Sequence, residues 1–464
     1  MASFSTAAPD SHFPQLGIVT DAAAMQKILQ RQLPGFAEGG WQIETLNVKD
    51  FDYKPGRKCA LGYVLHVRHA VTGEQRRQLF TGVIEPGGGA ENKFAQAHQE
   101  ELVPPTIGPA VHLLPELDLV LWGFPNDPKM KGLPVLFQES SLLLLLEREW
   151  KNFGIVAGGR LHQIETGVVK YVPQRRCTLR HVLQIERDAT PEKSELIVYS
   201  KIYRAKTEGR IFFKNLKGIW EAPVCRSGRL LVPEPLFYSQ ELNAAFQRGL
   251  HGQNLDEVLH EIDVVRAAGQ IGAALAGLQQ CELQGLASRS LIEDFVEFKK
   301  TQRSLSADGA GYAAILQGVA IDLEKRMGGL PALAPVPIHG AFRPTQVLRV
   351  GEQLALIDFD GFLLGNPIAD VGSFVAHLFY LPLKGLITAS QSRAAMAAFT
   401  RAYRNAAPWG LPEEVLRWYT AANLAGREAK KCLDKSSKIS KRDYEGMIGV
   451  LLEHARDCLA GKMV

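Results

Sequence analysis

Residues 339–348 read HGAFRPTQVL, and residues 357–361 read IDFDG. Between them VLRV, GEQ and LAL have the pattern of a β-hairpin with Gly351 in its bend. Such a hairpin carries Gln346 just ahead of its first strand and Asp358 at the end of its second. An amide oxygen and a carboxylate so placed suit magnesium, which takes oxygen ligands from one or two carboxylates plus phosphate oxygens. IDFD alone reads equally well as an ordinary polar hairpin with a turn-capping Asp. The HGAFRPTQ stretch at the required spacing favours the metal. Ala341 stands near the start of that stretch and offers only a methyl group.

A chain of 464 residues exceeds one ordinary domain, so two or three are expected. Apolar residues at 46% and charged residues at 22% are those of a globular protein and exclude a disordered chain. A formal charge of +4 spread over this length shows no basic face, so nucleic acid is not an expected partner. The opening MASFSTAAPDSHFPQLG lacks a basic start and an apolar run, so residues 1–20 read as a short disordered lead-in and not a secretory signal. The five leucines Leu142–Leu146 are too few to span a membrane and read as a buried segment. The six cysteines are scattered without CxxC pairs, as expected of reduced, mostly buried thiols in a cytoplasmic protein.

The first half contains a repeat. YKPGRKCALGYVL (53–65) and YVPQRRCTLRHVL (171–183) share Tyr53/Tyr171, Pro55/Pro173, Arg57/Arg175, Cys59/Cys177, Leu61/Leu179, Val64/Val182 and Leu65/Leu183 at one constant spacing. With one residue inserted, the match continues from LFTGVI (79–84) to VYSKIY (198–203), which sets Gly82 opposite Lys201. A helix-like stretch follows each copy, ENKFAQAHQEEL and GRIFFKNLKGIW. CTLRHVLQIE and ELIVYSKIY alternate apolar and polar residues like half-buried strands. From about residue 256 the spacing becomes helical. The expected organisation is a β-plus-helix unit over 21–150, a second copy over 151–255 and a helical region over 256–464 that carries the motifs. The fold class is α+β.

Phosphoryl transfer asks a protein mainly for positioning and charge neutralisation. Lys201 has apolar neighbours on both sides in its strand, and a buried ammonium needs an anion such as a nucleotide phosphate. An outward edge lysine is the alternative. Arg175 and Arg176 lie in the turn expected over the phosphates, although Arg57 repeats Arg175, which fits a structural role equally well. Glu208, in the following helix, is a candidate partner for Lys201. The basic stretch KKCLDKSSKISKR (430–442) reads as a solvated loop, and His98, His162 and His377 show no spacing that suggests a site.

HGAFRPTQVL followed by LIDFDGFLLGNPIADVGSFVAHL resembles the signature of the aminoglycoside phosphotransferase and choline kinase family, HGDxxxxN, then IDxD, then GDPxxDL. His339, Gly340, Asp358, Asp360, Pro367 and Asp370 match position by position, and the resemblance extends over roughly 165–464. It implies a bilobal protein-kinase-like fold with a β-rich N-lobe and a helical C-lobe. It also implies ATP with Mg2+ as cofactors and transfer of the γ-phosphate to a hydroxyl of a small polar molecule. In that frame His339, Arg343 and Asp360 belong to the catalytic loop region, Gln346 and Asp358 to the metal, and Lys201, Arg175, Arg176 and Glu208 to the nucleotide. Three departures stand out: Gln346 replaces Asn, Asn366 replaces the Asp of GDP, and Ala341 occupies the position of the catalytic base.

Three readings follow. The first is a pseudokinase that binds Mg–ATP with little or no transferase activity and uses the first β unit for a protein partner or self-association. The second is a small-molecule kinase that tolerates Ala341 or is inactivated by it. The third is an interaction scaffold that binds no nucleotide.

Overall fold

CTLRHVLQI buries mainly alternate residues, CALGYVLHV buries Cys59–Tyr63 without a break and alternates only after them, and each lies in the second strand of an antiparallel sheet. The structure is a computed structural model that describes residues 10–97, 101–153, 159–187, 190–306, 311–434 and 441–462. The chain divides into two compact units. One runs to Phe213 and takes back Pro235–Gly249, and the other is Lys214–Glu234 together with the chain from Leu250 onward.

The first of these units holds both sheets. It opens with α1 (Leu16–Val19) and α2 (Ala22–Gln32), followed by β1 (Trp41–Lys54), β2 (Lys58–His69) and β3 (Gln75–Ile84). After α3 (Ala90–Ala97), β4 (Val111–Leu114) and β5 (Leu119–Gly123) complete a sheet of order β1-β2-β3-β5-β4. Next come α4 (Glu139–Arg148), β6 (Gly159–Val172), β7 (Arg176–Arg187), β8 (Thr190–Tyr203) and α5 (Lys206–Glu221). The end of α5 and the short α6 (Pro223–Arg226) belong to the helical unit, after which the chain returns for β9 (Pro235–Ser239) and β10 (Ala244–Arg248), and this second sheet has the order β6-β7-β8-β10-β9.

The sheets agree in detail as well as in order. Tyr53 pairs with Cys59 across the first turn of one sheet, and Tyr171 with Cys177 in the other. Asp10 accepts the Tyr53 hydroxyl at 2.7 Å and the Gly56 amide at 2.9 Å. Asp127 accepts the Tyr171 hydroxyl at 2.7 Å and the Gln174 amide at 2.8 Å. Met25 and Leu29 on α2 are buried against one sheet, as Leu142 and Leu146 on α4 are against the other. The ladder corrects the inserted residue: Thr178 faces Lys201 and Ala60 faces Val83, so the counterpart of Lys201 is Val83 and not Gly82.

Two boundaries also need correction. Residues 1–9 lie outside the described residues, but from Asp10 the expected disordered lead-in is structured, with Phe13 and Val19 buried in the first core. Two well-spaced apolar anchors and one Asp suffice to fasten this polar segment. Likewise the second sheet does not begin its unit at residue 151. Met130, Leu133, Leu136 and the buried face of α4 belong to its core, and the pattern starts at Asp127. The sheets meet where Tyr171 Oη lies 2.6 Å from Thr81 Oγ1 and where Gly62 leaves room for the Pro173 ring.

The helical unit contains β11 (Gln253–Asn254), α7 (Val264–Gln279), α8 (Leu291–Ser306) and α9 (Ala313–Met327). Then come β12 (Val336–Ile338), β13 (Val347–Val350), β14 (Gln353–Leu356), β15 (Leu363–Gly365) and α10 (Ile368–Leu383). α11 (Ala389–Ala406) and α12 (Glu413–Asn423) lead into a π-helical turn, Leu424–Glu428, then α13 (Ala429–Asp434) and α14 (Lys441–Leu459). Asp263 caps α7 through the amides of Val265 and Arg266, and a Thr388–Gln391 capping box starts α11. Gly272 lets α7 approach α11, since a Cβ there would lie 2.4 Å from the Phe399 carbonyl oxygen. The described cysteines form no disulfide, and all but Cys225 are buried, as expected. Among the described residues no helix is long and apolar enough to cross a membrane. The chain is thus mixed α+β, β-rich first and helical after.

The two aspartates make opposite pH predictions. The hydrogen bond from Tyr53, then those from Gly56 and His12, hold the Asp10 carboxyl down to about 2. Burial instead pushes the Asp127 carboxyl up, although Tyr171 and Gln174 pull it down. The stabilisation from Asp10 is therefore complete above the unfolded carboxylate range and lost as pH falls through its folded value. The contribution of Asp127 is complete below that range and lost as pH rises through its raised value. In urea titrations the destabilisation by Asp10→Asn should shrink from about pH 4 to about pH 2. A difference independent of pH in that window contradicts the assignment.

Candidate functional site

The motif loop is held from behind by one carboxylate. The His339 and Gly340 amides donate to Asp370 Oδ2 at 2.6 Å and Oδ1 at 3.0 Å. Asp370 lies in the first turn of α10, only 1% exposed. Burial pushes its carboxyl up, opposed by His339 and by the two amides. Gly340 takes φ +78, and a Cβ there would stand 2.3 Å from the Gly361 carbonyl oxygen, so no larger residue fits. His339 Nε2 lies 2.9 Å from the Ile357 carbonyl and donates to it, and Nδ1 is buried with no hydrogen-bond partner among the described residues. Phe342 is buried and stacks on Phe374 at 5.5 Å.

The predicted hairpin is present. Val347 pairs with Leu356 and Val350 with Gln353, with Gly351 at φ +59 in the bend. Pro344–Gln346 form a single 3-10 turn ahead of β13, and the Ile357 amide donates to the Gln346 carbonyl at 3.0 Å. Asp358 follows β14 in the left-handed region at φ 68 and opens the 3-10 turn Phe359–Gly361. That conformation breaks the strand alternation at the carboxylate. Asp358 and Asp360 are half-buried. Gln346 is 4% exposed, and its Oε1 is buried with no hydrogen-bond partner among the described residues. Leaving such an acceptor unmet costs about 1–3 kcal/mol, and a cation would meet it. Among the described residues no group of three or more His, Cys, Asp or Glu could hold a metal. An amide and a carboxylate instead suit magnesium, which keeps water and takes its other oxygens from phosphate. The donor set therefore fits the ion.

The remaining predicted residues lie in the β-rich unit. Lys201 is on β8, the middle strand of its sheet, which removes the edge-lysine alternative. It is 7% exposed, with Nζ 4.6 Å from the centre of the Phe212 ring. Glu208 is exposed in the first turn of α5. Arg176 pairs with Tyr203 in the ladder. Arg175 is exposed in the β6–β7 turn. In the first sheet the Lys58 hydrogen bond first, with Arg175 a lesser charge, holds the Asp52 carboxyl down, while burial pushes the Asp50 carboxyl up against the charges of Lys49, Lys170 and Arg175. Pro173 and Gln174 of the same turn are buried, so this turn packs on the first sheet.

Sequence reading missed a polar cluster on the π-helical turn. Glu428 is fully buried and accepts Lys431 Nζ at 2.7 and 2.8 Å. His377 Nδ1 lies 3.1 Å from Glu428 and 2.9 Å from Lys431 Nζ, and His377 Nε2 lies 3.6 Å from Asp256. Lys431 is therefore not part of a solvated loop, and 430–434 is helical. Residues 435–440 and His98 lie outside the described residues. A cavity of about 110 Å³ opens beside Gly340, walled by Asp370 and Ser373 of α10, Asp294 of α8, Asn423 of α12 and Arg427 of the π-helical turn.

Residues 204–409, rather less than half of the chain, match the model of the phosphotransferase enzyme family, APH. No curated protein matches the chain. Among solved structures, a choline/ethanolamine kinase family protein from Mesorhizobium loti is similar at 14% identity and TM-score 0.40, over 57% of this chain and 85% of its own. Amicoumacin kinase in complex with AMP-PNP, Ca2+ and Ami is similar at 10% identity and TM-score 0.43, over 64% of this chain and 89% of its own. A glucosamine kinase in complex with glucosamine, ADP and inorganic phosphate is similar at 14% identity and TM-score 0.42, over 92% of this chain and 98% of its own. Likeness at this level says nothing of this chain's own substrate. The resemblance first seen in the motifs is one to the phosphotransferase enzyme family, and residues 204–409 carry it.

Proposed function

We propose that this chain binds a magnesium–nucleotide, ATP in the first place, and transfers phosphate to a neutral hydroxyl slowly or not at all. One observation carries the nucleotide half of the reading. The Oε1 of Gln346 is buried and unmet at the mouth of the hairpin that ends in Asp358. Gln346 and Asp358 would hold Mg2+, which would neutralise charge on the phosphate oxygens. Asp370 positions the loop, and Gly340 keeps its backbone against Gly361. Lys201, Arg175, Arg176 and Glu208 are the proposed nucleotide contacts of the β-rich unit.

Ala341 supports the second half. A methyl group accepts no proton, and losing a general base costs roughly 10²–10⁴ in rate. A working transferase remains the second reading, favoured by the cavity that opens against Gly340. We also read the two sheets as copies of one ancestral unit. Their common strand order and their matching Asp–Tyr bonds support this.

Calorimetric titration of Mg–ADP tests the nucleotide site. Gln346→Leu and Asp358→Ala should each weaken binding about tenfold or more, and EDTA should abolish the metal-dependent part. Unchanged affinity in both variants contradicts the site. A second outcome is specific to an unmet acceptor. Without metal, Gln346→Leu should raise stability by about 1 kcal/mol, since it removes a buried oxygen that nothing satisfies. A fall in the metal-free melting temperature would show that Gln346 serves a structural bond.

A further inference from the structure

The two sheets make the same first turn, and only one of these turns is covered. In the first sheet the turn over residues 54–58 is fastened by Asp10, and Pro55 in it is exposed. In the second sheet Asp127 fastens the turn over residues 172–176 in the same way, yet Pro173 and Gln174 are both buried. Part of that cover is the first sheet, which lies in the same compact unit. Gly62 on β2 leaves the space that the Pro173 ring takes, since a Cβ there would lie 3.1 Å from Pro173 Cγ and 3.1 Å from the Lys49 carbonyl oxygen. Thr81 on β3 is 1% exposed, with Oγ1 2.6 Å from Tyr171 Oη. Tyr171 gives its own hydrogen to Asp127, so Thr81 is the donor between the two hydroxyls. A hydrogen-bonded chain therefore runs from Thr81 through Tyr171 and Asp127 to the Gln174 amide.

The cover is not what folds the turn, because the first copy closes the same turn with Asp10 and no such cover. Nor does it suit the residues it buries. Gln174 stands at φ 57 where the first copy has Gly56 at φ 62, and a side chain in that region is strained. Its Nε2 is also buried without a hydrogen-bond partner among the described residues, which is a further cost. What these costs leave in place is a fixed turn with Arg175 still exposed on it. A loop already held in its binding conformation has less freedom to lose when a ligand arrives.

We propose that the first sheet is a bracket for the second: through Thr81 and Gly62 it holds the turn over residues 172–176 where Arg175 meets nucleotide phosphate. Thr81 and Gly62 are positioning residues, which act through Arg175 and touch no ligand. The proposal rests on the magnesium–nucleotide reading. It gives a part in that site to a sheet that carries Val83 in the place of Lys201.

The test is calorimetry of Mg–ADP binding to the full chain, with hydrogen exchange read at the Gln174 and Arg175 amides, which bond Asp127 and the Val172 carbonyl. Thr81→Val removes the donor, and it should weaken Mg–ADP about three- to tenfold and speed exchange at both amides. Thr81→Ser keeps a donor and should bind like the parent. Gly62→Ala should act in the same direction as Thr81→Val, because its methyl group presses on Pro173. A double-mutant cycle separates positioning from general stability: beside Arg175→Ala, Thr81→Val should weaken Mg–ADP no further. The proposal is overturned if Thr81→Val leaves the affinity unchanged or raises it, the latter making the first sheet a restraint on binding. It is equally overturned if the loss persists in full beside Arg175→Ala. If Arg175→Ala alone changes nothing while Gln346→Leu weakens binding, the metal site stands and the bracket falls. If the parent binds no Mg–ADP, the nucleotide reading fails and takes the bracket with it.

Discussion

The motif region depends on one buried carboxylate. Asp370 receives two successive backbone amides, those of His339 and Gly340, and so sets the direction in which the loop leaves β12. Gly340 must then pass within van der Waals reach of Gly361, and His339 must reach the Ile357 carbonyl. These contacts tie the loop to the far end of the hairpin, so Gln346 and Asp358 are placed by backbone geometry and not by side-chain preference. A buried carboxylate is costly unless hydrogen-bonded, and here two amides meet that need.

Against that economy, the unmet groups are informative. His339 Nδ1, Arg343 Nε and Gln346 Oε1, in a stretch of eight residues, are all buried and without hydrogen-bond partners among the described residues. Native proteins satisfy nearly all such atoms, and those left over mark missing water, ions or ligand. The oxygen of Gln346 is an acceptor that the proposed metal ion would meet. The π-helical turn at Leu424–Glu428 contributes Arg427 and the buried Glu428, in keeping with the frequent use of such turns at functional sites.

Much of this was legible in the sequence where the signal is local. Apolar–polar alternation marked β7 and β8, Gly351 marked the hairpin bend, and three- and four-residue spacing marked α7 and α9. What escaped depends on distant partners. The segment at Asp10 looks disordered until Tyr53 and Gly56 supply its bonds, and Asp127 joins the second sheet only through the Tyr171 hydroxyl it accepts. Lys431 looked solvated among neighbouring lysines, yet the π-helical turn buries Glu428 beneath it, and His377 joins from α10. The Val83 counterpart of Lys201 appears only in the ladder, because identity ran out before the register did.

The central claim is that Gln346 and Asp358 share a cation that carries nucleotide phosphate. A crystal structure grown with Mg2+ and AMP-PNP tests it most directly. The account predicts an ion about 2.1 Å from Gln346 Oε1 and from an Asp358 carboxylate oxygen, with phosphate oxygens completing its shell. Nucleotide bound with Gln346 Oε1 satisfied by a protein donor, and no ion between it and Asp358, would contradict the claim.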